Sequence, residues 1–167
     1  MIFKVILYVM LIVGAVILQQ RDFLRLESGV VPDWILIITI FFSLRKEELV
    51  GMIIGFIGGF FMDAISGVIQ GVHMFAKTIT AFIVGEMKNR IFAETIWSIM
   101  IIVALVSLMH GSIVLVLEYI FHQPFPLFQK ILHYTIPEVL YNTVIAVPVF
   151  FILNYVMERI DRRKEID

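Results

Sequence analysis

The sequence predicts an all-α integral membrane protein in which six transmembrane helices form a compact bundle. Hydrophobic residues make up 60% of its 167 positions and charged residues only 16%, which leaves too little polar surface for a water-soluble domain. The mean hydropathy is +0.98, and the charges fall in short clusters between apolar runs. Most of these runs approach the about 20 residues that a helix needs to cross the hydrocarbon of a bilayer.

The first three predicted helices cover residues 2–18, 31–44 and 49–65. The first is interpreted as a retained helix and not as a cleaved secretory signal, because residues 19–21 are large and polar where a signal would have small residues. The second is short for a full crossing. The third carries regularly spaced glycines.

The last three predicted helices cover residues 72–87, 95–121 and 136–157, and an outer loop from 122 to 135 precedes the last of them. The fourth helix is short, and the fifth is long enough to tilt or to project from the bilayer. Because no segment is left over for an extramembrane domain, residues 1–167 are predicted to form one membrane domain.

The distribution of lysine and arginine predicts that both termini are cytoplasmic. Cytoplasmic ends of transmembrane helices carry the excess of these residues, and with the N-terminus inside, nine fall on the cytoplasmic side against three outside. The basic tail, residues 158–167, then lies in the cytoplasm. The nine are Lys4, Arg45, Lys46, Lys88, Arg90, Arg159, Arg162, Arg163 and Lys164, the three are Arg21, Arg25 and Lys130, and Lys77 lies inside a helix.

Glycines in the third helix form a packing stripe. Gly51, Gly55 and Gly59 are four residues apart and so line one helix face, where the missing side chains let another helix approach closely. Contact within the same chain is favoured over a face reserved for a partner protein, since most such contacts are internal. Gly67 and Gly71 flank a short outer turn in which glycine permits a positive φ. The third and fourth helices are therefore expected to form a tight hairpin, and Gly67, Gly71 and Gly85 complete the predicted set of packing glycines.

A carboxylate and a lysine lie on opposite sides of that hairpin. Asp63 falls about one turn before the outer end of the third helix, and Lys77 between one and two turns into the fourth, so their depths are similar. An unpaired charge there costs roughly 2.5–3.5 kcal/mol. We expect the two side chains to form a salt bridge, which either fastens the hairpin or belongs to a binding site.

Polar side chains are concentrated in the outer half of the predicted bundle. Glu138 follows Pro137 in the first turn of the last helix, and His110 lies deeper, where a hydrogen-bonded core role is favoured over pH sensing. The cluster is interpreted either as helix capping with interhelical hydrogen bonds or as a site for a partner or ligand. Its members are Asp63, His73, Lys77, His110, Glu118, Glu138, Tyr141 and Asn142.

The sequence contains no signature of a catalytic or metal site. Without cysteines it has no thiolate chemistry and no disulfides. His110, Glu118, His122 and His133 lack the HExxH spacing of a metal site, and neither a Gly-x-Ser-x-Gly elbow nor a phosphate loop occurs. We therefore predict no enzyme activity, no cofactor and no metal. A net charge of −1 gives no overall field to attract nucleic acid.

Several motifs stand in a fixed order along the chain. They are Pro32-Asp33 and Arg45-Lys46 at the two ends of the second helix, then Gly51, Gly55, Gly59, Asp63, Ser66-Gly67, Gly71, His73, Gly85 and Arg90, and finally Pro137, Glu138, Tyr141-Asn142, Pro148 and the basic residues from Arg159 to Lys164. This order resembles the rod shape-determining protein MreD family over nearly the whole chain.

The resemblance implies a noncatalytic subunit of the bacterial cell-elongation (rod) complex. Such a subunit is a multi-pass protein of the inner membrane, in contact with membrane lipid, and binds MreC. It works with MreB, a RodA-type polymerase and a class B penicillin-binding transpeptidase to organise peptidoglycan synthesis and cell shape. Part of MreC is then the expected occupant of the outer polar half.

Two other classes of protein remain open at this point. The MreD family is similar to the substrate-binding components of energy-coupling-factor vitamin transporters, which are six-helix proteins with an outward-facing pocket. Such components commonly carry small-residue faces for a coupling subunit, whereas the first helix here has only Gly14 and Ala15, which are adjacent. An intramembrane enzyme, the third class, would need titratable groups that converge near a path for water.

Overall fold

The computed structural model describes residues 2–21, 25–26, 29–45, 48–66, 71–88, 95–121 and 126–164. This part of the chain is helical and contains no strand, which confirms the all-α class. Its elements are α1 (Ile2–Gln19), α2 (Trp34–Leu44), α3 (Glu48–Ser66), α4 (Val72–Met87), α5 (Ile96–Phe121), α6 (Leu127–Lys130), a π-helical turn (Ile131–Thr135) and α7 (Ile136–Lys164).

The predicted second helix begins too early. α2 begins at Trp34 because the Asp33 side chain caps it, with Oδ1 accepting the Leu36 N–H at 2.9 Å. The amide oxygen of Gln19, at the end of α1, accepts the Trp34 N–H at 3.1 Å. Side chains from both sides therefore satisfy backbone donors that the first turn of a helix leaves free.

The predicted outer loop and the predicted tail are also helical in part. Leu127–Lys130 and Ile131–Thr135 form a helical lead-in to α7, so the loop prediction is wrong for these residues. Its first residues, among them His122 and Pro124, lie outside the described residues. The tail expected from residue 158 onwards continues α7 as far as Lys164.

α2 forms the centre of the bundle. All of its residues from Ile35 to Ser43 are buried, and α1, α3, α4, α5 and α7 all contact it. Its 11 residues rise only about 16 Å, about half the thickness of a hydrocarbon core. Because α2 is short and enclosed by the other helices, its first turn and the Asp33 side chain that caps it lie inside the protein.

Glycines of α3 meet α2 and α4. A Cβ on Gly51 would lie 2.8 Å from the backbone nitrogen of Ser43 in α2, and one on Gly59 would lie 2.7 Å from that of Met74 in α4. Gly55 faces α4 as well, where a Cβ would come within 3.0 Å of the Lys77 carbonyl oxygen. The stripe therefore lies against helices of the same chain and not on an outer face.

The remaining glycines of the predicted packing set differ in their roles. Gly71 precedes α4 with φ +106°, a conformation that favours glycine. Gly85 is buried on α4. Gly67 lies outside the described residues.

Opposite ends of the chain meet at one end of the bundle, which we call the Arg45 end. Lys4 Nζ of α1 lies 3.1 Å from Asp161 Oδ1 of α7, and Arg45 Nη2 lies 3.6 Å from Oδ2 of the same aspartate. Arg45 also donates to the side-chain oxygen of Asn154 at 2.9 Å. The start of α1, the end of α2 and the last part of α7 are therefore joined there; the other end, where α2 begins, is called the Asp33 end.

The surface of the described residues is strongly apolar. Large hydrophobic side chains are exposed on all the long helices except the enclosed α2, with Met10 of α1 at 67% and Leu140 of α7 at 64%. Such a surface suits lipid and not water. By length and composition, Ile96–Phe121 and the continuous helical run Leu127–Arg162 are each sufficient to cross a membrane, whereas Lys4–Gln19, Trp34–Leu44 and Leu49–Ile65 are shorter apolar helices.

Candidate functional site

A cavity of about 70 Å³ lies at the Asp33 end of the bundle. It lies between α5 and the helical segment that leads into α7, and the start of α2 and the first turn of α4 also reach it. Eight of its lining residues have polar or ionisable side chains, namely Asp33, His73, His110, Glu118, Lys130, Tyr134, Thr135 and Glu138, with Gly111, Val114 and Leu115 completing the wall.

Asp33 is the residue at which the polar contacts of this end converge. Its carboxylate is buried, and its Oδ2 forms an ion pair with the fully buried Nζ of Lys77. His110 Nε2 lies 3.8 Å from the same oxygen, while Oδ1 caps α2 through Leu36. The carboxylate thus accepts hydrogen bonds from α2 and from α4, and it faces His110 of α5 at a longer distance.

Neutral side chains extend this network to two further contacts. The backbone N–H of Asp33 donates to the Asn142 side-chain oxygen at 2.7 Å, and the Asn142 amide nitrogen lies 3.4 Å from the Ser107 hydroxyl. His110 Nδ1 lies 3.4 Å from the hydroxyl of Thr80. The network therefore joins α2, α4, α5 and α7 inside a surface that is otherwise apolar. Buried polar groups that satisfy one another in this way fix the relative position of their helices.

The predicted salt bridge between Asp63 and Lys77 is wrong. Lys77 pairs with Asp33, and Asp63 accepts backbone N–H groups from Gly71 at 2.9 Å, His73 at 2.9 Å and Met74 at 3.0 Å. Gly71, the residue before α4, has no side chain with which to cap the helix, so the Asp63 carboxylate from α3 caps it instead. The negative charge of Asp63 also interacts favourably with the positive N-terminal end of the α4 dipole.

The helical segment before α7 forms the mouth of the cavity. Lys130 pairs with Glu118 of α5, and their side chains are 36% and 11% exposed. Tyr134 lines the cavity while 52% exposed. Within the π-helical turn the Ile136 N–H donates to the carbonyl of Ile131, and the next residue is Pro137, which has no N–H to donate. A wide turn of this kind is often found at functional sites.

Charges around the cavity do not balance in pairs. Asp33 is matched by Lys77 and Glu118 by Lys130. Glu138 also lines the cavity, and no lysine, arginine or histidine of the described residues forms an ion pair with it. Its hydrogen-bond partner is the Asn142 amide, which is neutral, and Lys77, whose positive charge also acts on Glu138, already forms the ion pair with Asp33. Glu138 therefore has no cation of its own among the described residues.

The structure brings most of the predicted site residues together. His73, His110, Glu118 and Glu138 line the cavity, and Lys77 and Asn142 lie directly behind Asp33. Tyr141 is half-buried outside the lining, and Asp63 caps α4.

Sequence reasoning missed Asp33 as a site residue. It was noted only as the residue after Pro32 at the start of the second helix. The available signal was a carboxylate bordering an apolar run at the same predicted depth as Lys77, and Asp63 offered the same signal.

The side chains around the cavity, and its volume, limit what it can bind. Within the described ranges, no group of three or more histidine, aspartate or glutamate side chains is placed to hold a metal ion. The cavity volume of about 70 Å³ is also well below the roughly 300–1,000 Å³ of pockets that enclose drug-sized ligands. The arrangement suits a small polar or charged group better than a whole vitamin.

The family described as rod shape-determining protein MreD matches residues 1–160. No solved structure matches the chain.

Proposed function

The chain belongs to the MreD family of rod shape-determining membrane proteins, and from this we propose that it is a noncatalytic membrane subunit of the bacterial cell-elongation complex that docks a segment of MreC at the Asp33 end. MreB, a RodA-type polymerase and a class B penicillin-binding transpeptidase act in the wider complex. The subunit helps to organise peptidoglycan synthesis by holding partners in place.

We place the protein in the inner membrane as a six-pass bundle with α1, α2, α3, α4, α5 and α7 crossing in alternate directions. The excess of lysine and arginine at the Arg45 end makes that end cytoplasmic, so the Asp33 end faces the periplasm. The ion pair between Lys4 and Asp161 supports a common side for the two termini.

The observation that carries the docking proposal is the cavity with its open, half-exposed mouth. Polar and charged side chains at membrane depth are costly and usually mark functional sites. Here α2, α4, α5 and the start of α7 all contribute such side chains to the cavity. The mouth adds an exposed aromatic side chain, Tyr134, beside the Lys130–Glu118 pair. Aromatic residues of this kind are common anchors of protein contacts.

A photocrosslinking amino acid at position 134 tests the docking site. Trp97 provides a matched control, because it is another exposed aromatic residue, 74% exposed, at the start of α5 and hence at the Arg45 end. We expect benzoylphenylalanine in place of Tyr134 to crosslink to MreC in cells, and in place of Trp97 not to. Crosslinks from position 97 alone, or from neither position, would contradict docking at the Asp33 end.

Depletion tests the cellular role. Rod-shaped cells that lose the protein are expected to become round while vitamin uptake continues. Loss of uptake with retained shape would favour a transporter component instead.

A further inference from the structure

The unbalanced carboxylate of Glu138 suggests what enters the cavity. Three carboxylates, those of Asp33, Glu118 and Glu138, line it, and the ion pairs of the described residues compensate the first two. Glu138 therefore shares the cavity with two ion pairs that are each neutral overall. Glu138 is half-buried, and a charge without its own counterion is unfavourable at membrane depth, so a positive group from outside would be bound there.

We infer that the cavity at the Asp33 end is a binding site for a single organic cation, an ammonium or guanidinium group seated against Glu138. The identity of its bearer rests on the proposed function, in which a basic side chain of the docked MreC segment supplies the group. An ethanolamine lipid headgroup offers the same chemistry from the bilayer.

Size and donor geometry favour this class of ligand. A water molecule needs about 10–15 Å³ of such volume, so about 70 Å³ holds only a few non-hydrogen atoms, as in the end of a lysine or arginine side chain. The described residues offer no set of ligands for a metal ion. Lys130 already forms such a contact with Glu118 at the mouth, which shows that an ammonium group fits between these helices.

Ethylammonium is a suitable probe, because it carries an ammonium on a two-carbon chain and needs no partner protein. The full chain in detergent is unfolded by heat in ethylammonium chloride or in sodium chloride at the same concentration. Once the probe exceeds its dissociation constant about fivefold, we expect the midpoint to be about 2–4 °C higher than in sodium. Equal midpoints in the two salts would overturn the inference.

Glu138→Gln keeps the shape of the side chain and removes its charge. We expect this variant to have a higher midpoint than the unmodified protein without probe, because an uncompensated charge is gone, and to lose the ethylammonium shift. Glu158→Gln is the matched control, since Glu158 is exposed at the Arg45 end and pairs with Arg162 at 3.7 Å; its shift should be retained. A full shift in Glu138→Gln would contradict the site.

Two further arms distinguish the sources of the cation. If the lipid supplies it, nanodiscs containing phosphatidylethanolamine will suppress the ethylammonium shift, and nanodiscs of phosphatidylglycerol will not. If MreC supplies it, the complex with MreC will suppress the shift in phosphatidylglycerol. A shift that survives in both settings would overturn both assignments of the bearer, because neither MreC nor the lipid would then fill the cavity, whereas the crosslink from position 134 would still report on docking by itself.

Discussion

Lys77 and Asp33 neutralise each other in the interior of the bundle, where either charge alone would be costly. Lys77 is fully buried, and Asp33 is nearly so. Removing one member of such a pair leaves an uncompensated charge, whereas removing both leaves none. The two substitutions should therefore interact strongly, unlike substitutions of residues that only lie close together.

A double-mutant cycle measures this interaction. We expect Asp33→Asn and Lys77→Met each to lower the free energy of unfolding by about 3–5 kcal/mol, and the double variant to lose less than their sum by about 0.5–3 kcal/mol. The control cycle combines Lys77→Met with Asp63→Asn and should be close to additive. Both cycles are read from unfolding in detergent; strong coupling in the control cycle alone would contradict the pairing.

The sequence was sufficient to place Lys77 at a depth that demands a carboxylate, but not to choose between two candidates. Asp63 and Asp33 are both at the Asp33 end of their helices. Depth along a helix follows from residue number, whereas the side of the helix that faces a given neighbour depends on how α2, α3 and α4 are arranged. Only the structure shows that α2 is central and brings Asp33 to Lys77, while Asp63 reaches the first turn of α4.

α3 and α4 owe their close contact to the glycines of α3. Gly59 lies against the backbone of Met74, and Asp63, one turn further along α3, accepts from the Met74 N–H. The close approach and the cap therefore depend on each other. A larger residue at position 59 would separate the helices and move the carboxylate away from its donors.

Gly59→Ala tests this dependence. We expect a loss of at least about 2 kcal/mol of unfolding free energy, because the added methyl group meets backbone atoms that cannot move independently. Gly14→Ala is the matched control on α1, where a Cβ would meet nothing within 4 Å, and should be neutral or stabilising by up to about 1 kcal/mol. Thermal unfolding of both variants gives the comparison; equal effects would count against the packing argument.

Helix positions were predictable because hydrophobicity marks them, and the exceptions have local causes. The segment Leu127–Thr135 lies in the predicted outer loop, between Pro126 and Pro137. Pro137 lacks an N–H, yet the π-helical turn before it accommodates this, since the bonding pattern is already widened there. Pro137 therefore lies within an irregular part of a continuous helical run and does not mark the point where that run begins.

The proposed alternating course of the six membrane-crossing helices gives a topology that labelling can test. The protein has no cysteine, so single cysteines report without further changes. We expect an impermeant maleimide to label Gln20→Cys and Phe128→Cys in spheroplasts, because both residues are exposed at the Asp33 end. Trp97→Cys and Glu158→Cys should react only after permeabilisation. The opposite pattern would mean that the bundle has the opposite orientation in the membrane.

The class of the protein and the family were accessible from the sequence, whereas the cavity was not. A concentration of polar residues in one half indicated that a site exists, and four of the predicted residues do line it. Its volume, its mouth and the uncompensated Glu138 depend on how α5 meets the segment before α7. No pattern in a single helix reports that contact.

The helical run from Leu127 to Arg162 extends over 36 residues, about 54 Å if it were fully α-helical. Lys130 at the mouth and Asp161, which holds Lys4 and Arg45, belong to this one rod. No loop separates them that could absorb a displacement, and its irregular points are the π-helical turn and Pro148. A force applied to the segment at the cavity mouth would therefore be transmitted through one continuous helical run to Asp161 and, through its ion pairs, to α1 and the end of α2.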